Sequence, residues 1–398
     1  MEPRNLTRRN FLAAGAAAVG SIAASASDIP HELGAPRRAY GERSHFEKSS
    51  RYFRESATPA SGSSRTPLQD LVGIITPSAL HYEVHHYGVP DIDPRQHELM
   101  IHGLVERPLV FTMEDLYRLP PVSRIHFLEC AGNSGGEQIG RPGADPQRSH
   151  GLLSCSEWTG VPLRTLLEET GVKPGAKWIV AEGADAGRLA RSIPLEKALD
   201  DVLVAYGQNG EALRPEQGYP VRLVVPGWEG NVNTKWVGRV KLVEGPLMTA
   251  YETAFYTDLM SDGKARQFTF VMEAKSVITR PAGGQRLAGP GFYEITGLAW
   301  SGRGRITGVE VSTNGVKGWQ KAELNEPVFS KALTRFRLGW WWDGGETTLR
   351  SRCTDETGYV QPTREELLAV RGENATDHYN GIKTWRVQTD GRVTHEEE

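Results

Sequence analysis

The C-terminal third of the chain consists mainly of short strand-like runs separated by Gly, Asn, Asp and Pro, and this pattern limits the folds open to it. The runs cover residues 293–300, 306–312, 319–324, 334–342, 347–355 and 384–388. One segment of helical length, residues 364–371, interrupts them. Regularly spaced short strands with turn residues between them are typical of a β-sandwich. The sequence therefore predicts an all-β, immunoglobulin-like domain at residues 263–398.

The preceding region, residues 68–262, mixes helical and strand patterns. Strands are predicted at residues 98–105, 123–128, 178–182 and 221–225, and helices near residues 112–115, 163–170 and 195–199. A capping residue followed by acids marks the first helix, at Thr112. Because strands and helices do not alternate as in βαβ units, we expect an α+β domain here.

The N-terminus has the pattern of an export signal. Arg8 and Arg9 precede an apolar stretch rich in Ala and Gly, which ends at Ala24-Ser25-Ala26. Twin arginines before a weakly hydrophobic segment indicate a twin-arginine signal peptide at residues 1–26, and hence a periplasmic protein. A membrane anchor is the alternative, but the stretch is short and poor in Leu and Ile, so we expect no stable membrane insertion. Residues 27–67 are polar and are predicted to form a tether, or a strap on a neighbour.

Composition excludes several classes of function. Among 398 residues the formal net charge is −3, which leaves no basic surplus for nucleic acid. Three widely spaced cysteines, Cys130, Cys155 and Cys353, form neither a disulfide framework nor a paired zinc motif. Sequence motifs for nicotinamide, nucleoside triphosphates, protease-type zinc and covalent haem are missing. A redox role would need another cofactor and an external electron partner.

Cys130 lies where a predicted strand ends. The apolar run 123–128 stops just before it and opens into Ala131-Gly132-Asn133, which are small or turn-forming residues. This places the sulfur on a loop at the rim of a sheet, where ligands commonly bind. The thiolate can serve as a metal ligand or a nucleophile, and inert packing is the alternative.

Two further segments carry donors suited to an anion. His81, His85 and His86 form the densest histidine cluster, but no carboxylate or cysteine stands at a recognised metal-ligand spacing, so an anion site is favoured over a metal site. Arg222 lies in an apolar strand, where an unpaired charge is costly. The Gly-rich loop that follows ends in Lys235 and supplies further donors, although a solvated loop is equally compatible with its composition.

In order and at these spacings, several motifs resemble the sulfite oxidase family of molybdenum-cofactor enzymes. The motifs are Cys130-Ala131-Gly132-Asn133, residues 157–163, residues 203–210, the loop 226–236, residues 274–279 and residues 299–302. The last two match the family's dimerisation domain. The resemblance covers nearly all of the sequence after the signal. It implies an α+β molybdopterin-binding domain followed by the immunoglobulin-like dimerisation domain.

The resemblance also implies a molybdenum-molybdopterin cofactor and its ligands. Cys130 would bind the metal and take part in catalysis. The cofactor-binding residues would be His86, Cys130, Asp185, Arg222, Asn233, Thr234 and Lys235. Tyr206 matches the active-site tyrosine, whose hydroxyl can donate to a substrate oxygen. Gln217 stands where vertebrate members carry a cofactor-binding histidine.

Two departures from the family pattern bear on the substrate. Sulfite oxidases hold their dianion with arginines at positions that correspond to Val84 and Gly135. A less basic pocket favours the sulfane dehydrogenase branch of the family, which oxidises sulfane sulfur on a carrier-protein cysteine to the sulfonate level in thiosulfate oxidation. The implied partners are that carrier, a c-type cytochrome subunit and a second copy of the chain, within a hetero-oligomer.

Three alternatives remain open from the sequence. The chain can be a periplasmic sulfite dehydrogenase that oxidises free sulfite to sulfate. A periplasmic methionine-sulfoxide reductase would share the signal and the cysteine turn, but not the second β-domain. The β-sandwich is also compatible with a non-enzymatic periplasmic binding protein, because fold alone does not specify function.

Overall fold

The computed structural model describes residues 39–396, apart from residues 55, 57, 59, 261, 316, 317 and 376. The predicted signal peptide lies outside these residues. The chain divides into two compact units, residues 1–48 and residues 49–398, and the description below concerns the second. Within its described residues the chain has no helix whose length and hydropathy would let it cross a bilayer.

Most regular structure in the second unit is β. The first strands are β1 Tyr52–Arg54, β2 Gly62–Arg65, β3 Glu83–His85, β4 Glu98–Gly103, β5 Leu109–Thr112, β6 Val122–Glu129, β7 Leu153–Pro162, β8 Trp178–Gly183, β9 Ala190–Pro194, β10 Leu203–Gln208, β11 Glu211–Ala212, β12 Arg222–Val224 and β13 Val237–Val243. The later ones are β14 Asp258–Leu259, β15 Ala265–Arg266, β16 Lys275–Arg280, β17 Gly291–Trp300, β18 Ile306–Ser312, β19 Gln320–Lys321, β20 Glu323–Asn325, β21 Thr334–Trp342, β22 Thr347–Asp355, β23 Thr384–Val387 and β24 Val393–His395.

The helices are short and lie mostly in the first half. They are α1 Met113–Arg118, α2 Gly135–Gln138, α3 Pro146–His150, α4 Leu163–Thr170, α5 Leu195–Asp200 and α6 Arg364–Arg371. Single 3₁₀ turns occur at Ser78–Leu80, Pro215–Gln217 and Gly230–Val232, and a π turn occurs at Tyr251–Phe255. Thr112 and Asp115 form a capping box that starts α1, as its sequence predicts.

The first half contains two five-stranded sheets. One has the order β11-β10-β7-β6, with β12 also paired to β10, and the other has the order β5-β4-β13-β8-β9. β13 runs parallel to β4, whereas the other pairs are antiparallel. Apolar side chains from both sheets and from α4 share one core. Since β6 ends at Glu129 and β12 begins at Arg222, this arrangement fixes the two chain segments that carry the candidate site.

The second half is a pair of antiparallel sheets, in the orders β16-β17-β21-β20 and β19-β18-β22-β23-β24. Buried side chains of both sheets, including Trp300, Phe336 and Trp385, form a common core. Of the helices described above, only α6 lies in this half. The prediction of an α+β domain followed by an all-β domain is therefore confirmed.

The polar segment before residue 68 is more ordered than its composition predicts. β1 and β2 form a three-stranded antiparallel sheet with β3. An ion pair between Arg51 and Glu83, at 3.0 Å, reinforces the attachment. Backbone pairing to a neighbouring strand supplies the order that apolar burial within the segment cannot, so β1 and β2 lie on their neighbour as the strap alternative describes.

Candidate active site

A cavity opens between the end of β6, the loop after β12 and the segment around β3. Its wall brings together the residues predicted to bind the cofactor and the metal: His86, Cys130, Asp185, Arg222, Asn233, Thr234 and Lys235. These residues come from five separate parts of the sequence, so their convergence is a property of the fold. Their individual roles remain predictions.

Cys130 is held in a tight turn at the end of β6. Its backbone N–H donates to Leu152 O at 3.0 Å, and its own carbonyl accepts from Asn133 N at 2.9 Å. The loop after β12 abuts this turn, since a Cβ at Gly230 would lie 3.2 Å from Cys130 Cα. The sulfur is therefore fixed at the cavity wall, as the sequence predicts for a residue on a loop at a sheet rim.

The electrostatic surroundings of Cys130 keep its thiol protonated unless a cation binds. Burial, with smaller contributions from Asp377, Glu129 and Glu229, raises the pKa of the Cys130 thiol to about 12. A metal ion lowers the pKa of a coordinating thiol and deprotonates it. Cys130 thus suits metal ligation better than unassisted nucleophilic attack.

Two cations line the cavity and make the site suitable for an anionic ligand. Arg222 is buried, donates to Gln217 O at 2.9 Å and Asn233 O at 3.0 Å, and forms no ion pair with any carboxylate in the described part of the chain. Burial lowers its pKa to about 10. Burial and the charge of Arg222 lower the pKa of Lys235 to about 7. Buried cations without carboxylate partners are costly, so a bound phosphate would relieve both groups.

Unpaired polar atoms around the same cavity also fit a bound cofactor. The Thr234 hydroxyl and Asn231 Oδ1 are buried and have no hydrogen-bond partner. Buried polar groups are normally satisfied, so both atoms are expected to meet a ligand. Asn233 differs, since its amide accepts from Val225 N at 2.7 Å and donates to Glu229 O at 2.9 Å. Its side chain therefore shapes the loop.

His86 and Asp185 differ in exposure, since His86 is exposed and Asp185 is buried. The His86 ring packs on Tyr251 with ring centroids 5.7 Å apart. Asp185 Oδ1 accepts a hydrogen bond from Leu189 N at 2.9 Å, which orders the turn after β8. Gly183, at the end of β8, leaves no room for a side chain, because a Cβ there would lie 2.8 Å from Lys235 O. The β8 turn therefore packs directly against the Lys235 loop.

The structure does not place Tyr206 at the cavity. Its ring packs edge-on against Tyr117, with centroids 4.9 Å apart, and joins the apolar core of the first half. Tyr256 lines the cavity instead, and its pKa is raised well above the ordinary value by burial and by Cys130. The Arg191 guanidinium lies 4.7 Å from the centre of the Tyr256 ring. The predicted role of Tyr206 as the active-site phenol stays a prediction, and Tyr256 is a second candidate because it lines the cavity.

Further cavity residues were not among the predicted binding set: His81, Tyr82, Gln217, Asn231 and Tyr256. Val84 lines the cavity where the family pattern has an arginine, but Gly135 begins α2 and is not part of the wall. No local sequence signal marks Tyr256. Arg191, which is held by Glu229 and Glu252 at 3.0 Å each, sets its position through the fold.

Residues in the second half of the chain form hydrogen bonds with both sequence neighbours of Cys130, Glu129 and Ala131. The Glu129 carboxylate is fully buried and accepts from Lys275 Nζ at 3.0 Å and Trp300 Nε1 at 2.6 Å. On the other side, His378 N donates to Ala131 O at 2.8 Å. Lys275 and Trp300 belong to the two motifs that resemble the dimerisation domain. Those motifs therefore also anchor the cysteine turn.

Comparison with known families agrees with this geometry. Residues 86–251 match the oxidoreductase molybdopterin binding domain, and residues 266–384 match the Mo-co oxidoreductase dimerisation domain. A fold with these two domains and a cavity built around a cysteine and unpaired cations defines a molybdenum-cofactor oxidoreductase.

Similar proteins, both solved structures and curated sequences, indicate which family of molybdenum-cofactor oxidoreductases this is. The sulfane dehydrogenase SoxCD from Paracoccus pantotrophus has a chain 48% identical to this one, with a TM-score of 0.91 over 94% of this chain and 98% of that chain. The NADH nitrate reductase of Ulva prolifera is 32% identical over 64% of this chain, and an inducible NADH nitrate reductase of Glycine max is 34% identical over 66%. The chain spans about a third of the length of these curated reductases. It belongs to the sulfite oxidase family of molybdenum-cofactor enzymes.

Replacement of the two tyrosines tests which phenol acts at the site. Tyr256→Phe removes the hydroxyl of a residue that lines the cavity and is expected to lower kcat by about 100- to 1,000-fold, the range for loss of one donor that stabilises the transition state. Tyr206→Phe is the matched control and should leave kcat within about twofold. Steady-state kinetics on proteins with equal molybdenum content measure the effect. A larger loss in Tyr206→Phe would favour Tyr206, the tyrosine that the sequence predicts, over Tyr256.

Proposed function

We propose that this enzyme oxidises a sulfane sulfur held on the cysteine of a carrier protein, as a periplasmic component of thiosulfate oxidation. The sulfane, R–S–S⁻, would combine with three waters to give R–S–SO₃⁻, six electrons and six protons. Electrons would leave to a c-type cytochrome subunit, and the chain would act as a homodimer within a hetero-oligomer. The similarity to a sulfane dehydrogenase chain over nearly its full length supports this substrate class.

The observation that carries the proposal is the charge around Cys130. Among the side chains that act on its thiol, the three carboxylates Asp377, Glu129 and Glu229 raise its pKa. Val84 contributes no charge to the wall. Because Arg222 and Lys235 are assigned to the cofactor's phosphate, a free dianion would lack the arginine that the family pattern places at residue 84, whereas a carrier-bound sulfane has a single charge.

The chain's own residues have defined tasks in this reaction. Cys130 would hold the metal, and Arg222, Thr234 and Lys235 would bind the anionic part of the cofactor. The bound cofactor supplies the oxygen-atom transfer and accepts electron pairs. Tyr256 lines the cavity together with Cys130, and its hydroxyl would donate to a substrate oxygen.

The proposal includes export of the folded enzyme to the periplasm by the twin-arginine route. The signal-like segment at residues 1–26 supports it, because this route carries proteins that have already folded around a cofactor. A sulfur carrier and a cytochrome acceptor would then meet the enzyme in the same compartment.

Two measurements test the proposal: the substrate preference of the unmodified enzyme, and the rate of sulfite oxidation after a charge is introduced at residue 84. The purified molybdenum-loaded chain, with ferricyanide as acceptor, is expected to oxidise carrier-bound sulfane in preference to sulfite. Val84→Arg should raise kcat/KM for sulfite by about 10-fold or more, since one charge-assisted hydrogen bond contributes about 1.5–3 kcal/mol. Val84→Met, similar in length but uncharged, is the control and should have no such effect.

Two results would count against it. Faster oxidation of free sulfite than of carrier-bound sulfane by the unmodified enzyme would favour the sulfite dehydrogenase alternative. An unchanged sulfite rate in Val84→Arg would show that the charge of the wall does not set the preference.

A further inference from the structure

His81 is a cavity residue that the family pattern does not assign to the cofactor. Its side chain is 1% exposed, and Nε2 is buried without a hydrogen-bond partner. Among the described residues, His102, His126 and His150 have an Nε2 in the same condition, but none of them lines the cavity. His81 is therefore the one of the four whose unsatisfied nitrogen adjoins a ligand space.

Contacts of the ring fix which nitrogen carries the proton. Nδ1 of His81 lies 2.9 Å from Tyr82 O, which can only accept, so Nδ1 carries the hydrogen. Burial lowers the pKa of His81 to about 3, so the ring is neutral. A neutral imidazole with a proton on Nδ1 presents Nε2 as an acceptor only. Trp158 packs edge-on at 5.7 Å and holds the ring in place.

Gln217 shares the same anchoring carbonyl. Its Nε2 donates to Tyr82 O at 2.9 Å, so its amide N–H₂ is directed to the backbone. Its Oε1 lies 3.5 Å from the Arg222 guanidinium. Both side chains line the cavity, but the free acceptor belongs to His81. Arg222 and Lys235 present N–H donors to the cavity, so they suit the anionic end of a ligand and not its donor groups.

We propose that Nε2 of His81 accepts a hydrogen bond from an N–H group of the pterin ring system. Reduced pterins have both ring N–H and exocyclic amino donors, whereas their phosphate offers acceptors at neutral pH. The cavity thus offers Arg222 and Lys235 to the phosphate and, beside the unpaired Asn231 Oδ1, the His81 acceptor to the heterocycle. This inference concerns cofactor binding and holds whichever sulfur compound is oxidised.

Amide replacements separate this role from a structural one. His81→Gln places an amide oxygen near the Nε2 position and can keep the acceptor, whereas His81→Asn places its amide nitrogen near Nδ1 and keeps only the bond to Tyr82 O. His126→Gln and His126→Asn are matched controls, since Nδ1 of His126 also faces a backbone carbonyl, Lys331 O at 3.4 Å, and its Nε2 is also unpaired. Circular dichroism and thermal unfolding of the cofactor-free forms establish that each protein folds.

The measurement is the loss of molybdenum and of pterin per chain during dialysis of the loaded proteins. His81→Asn is expected to lose both about 10- to 100-fold faster than the unmodified enzyme, and His81→Gln less than about fivefold faster. The two His126 variants should retain the cofactor. Retention in His81→Asn, or equal loss in both His81 variants, would overturn the proposal.

Discussion

Cys130→Ser is expected to fold, yet to lose turnover by more than about 100-fold. Mutation of residues that merely orient metal ligands costs about 10- to 100-fold in affinity or activity, and loss of the ligand itself should exceed this. A serine hydroxyl ionises far less readily than a thiol, and its oxygen is a harder ligand for molybdenum than sulfur is. Kinetics and molybdenum content per chain measure the loss, and the absorption band from the cysteine sulfur to the metal should disappear.

Cys155 provides the matched control for this experiment. It is fully buried in the core, outside the cavity, and burial raises its pKa to about 12, close to the value for Cys130. Cys155→Ala should lower stability but leave turnover per folded, loaded enzyme within about twofold. Full activity in Cys130→Ser, or an equal loss in Cys155→Ala, would contradict the assignment of Cys130 as the metal ligand.

The elements that follow from local pattern agree with the structure. α4 and α6 coincide with the predicted residues 163–170 and 364–371, and β6 extends the predicted residues 123–128 by one residue at each end. Amphipathic periodicity, caps and turn residues are local properties, so they can be read from the sequence alone. β1 and β2 were missed, because their order depends on pairing with β3 and not on their own composition.

Some residues of the candidate site have a local sequence signal, and others are placed only by contacts distant in the sequence. Cys130, Arg222 and Lys235 stand out locally, as a cysteine after a strand, a cation in an apolar run and the end of a Gly-rich loop. Tyr256 has no such context, and its place depends on Arg191, which lies far away in the sequence. For Tyr206, the motif identifies the segment but not the direction of the side chain. That direction is set by packing, here against Tyr117.

Lys275→Met should have the largest effect on stability. Lys275 and Glu129 are 1% and 0% exposed and pair at 3.0 Å. Removal of one member of such a pair leaves an uncompensated buried charge and costs about 3–5 kcal/mol. Because Glu129 directly precedes Cys130, the loss should also loosen the metal-binding turn. Urea unfolding of the cofactor-free protein gives the change in the free energy of unfolding, and molybdenum content reports on the turn.

Two further variants show whether the buried, unpaired charge causes the loss of stability in Lys275→Met. Arg337→Met breaks an exposed pair with Glu323, 2.7 Å apart, and should cost at most about 1 kcal/mol. Combining Glu129→Gln with Lys275→Met removes the unpaired charge while keeping an acceptor for Trp300 Nε1, so it should recover part of the stability. A double variant no more stable than Lys275→Met would mean that lost packing, not the unpaired carboxylate, determines the cost. The second half of the chain would then stabilise the cysteine turn by side-chain packing and not by the ion pair.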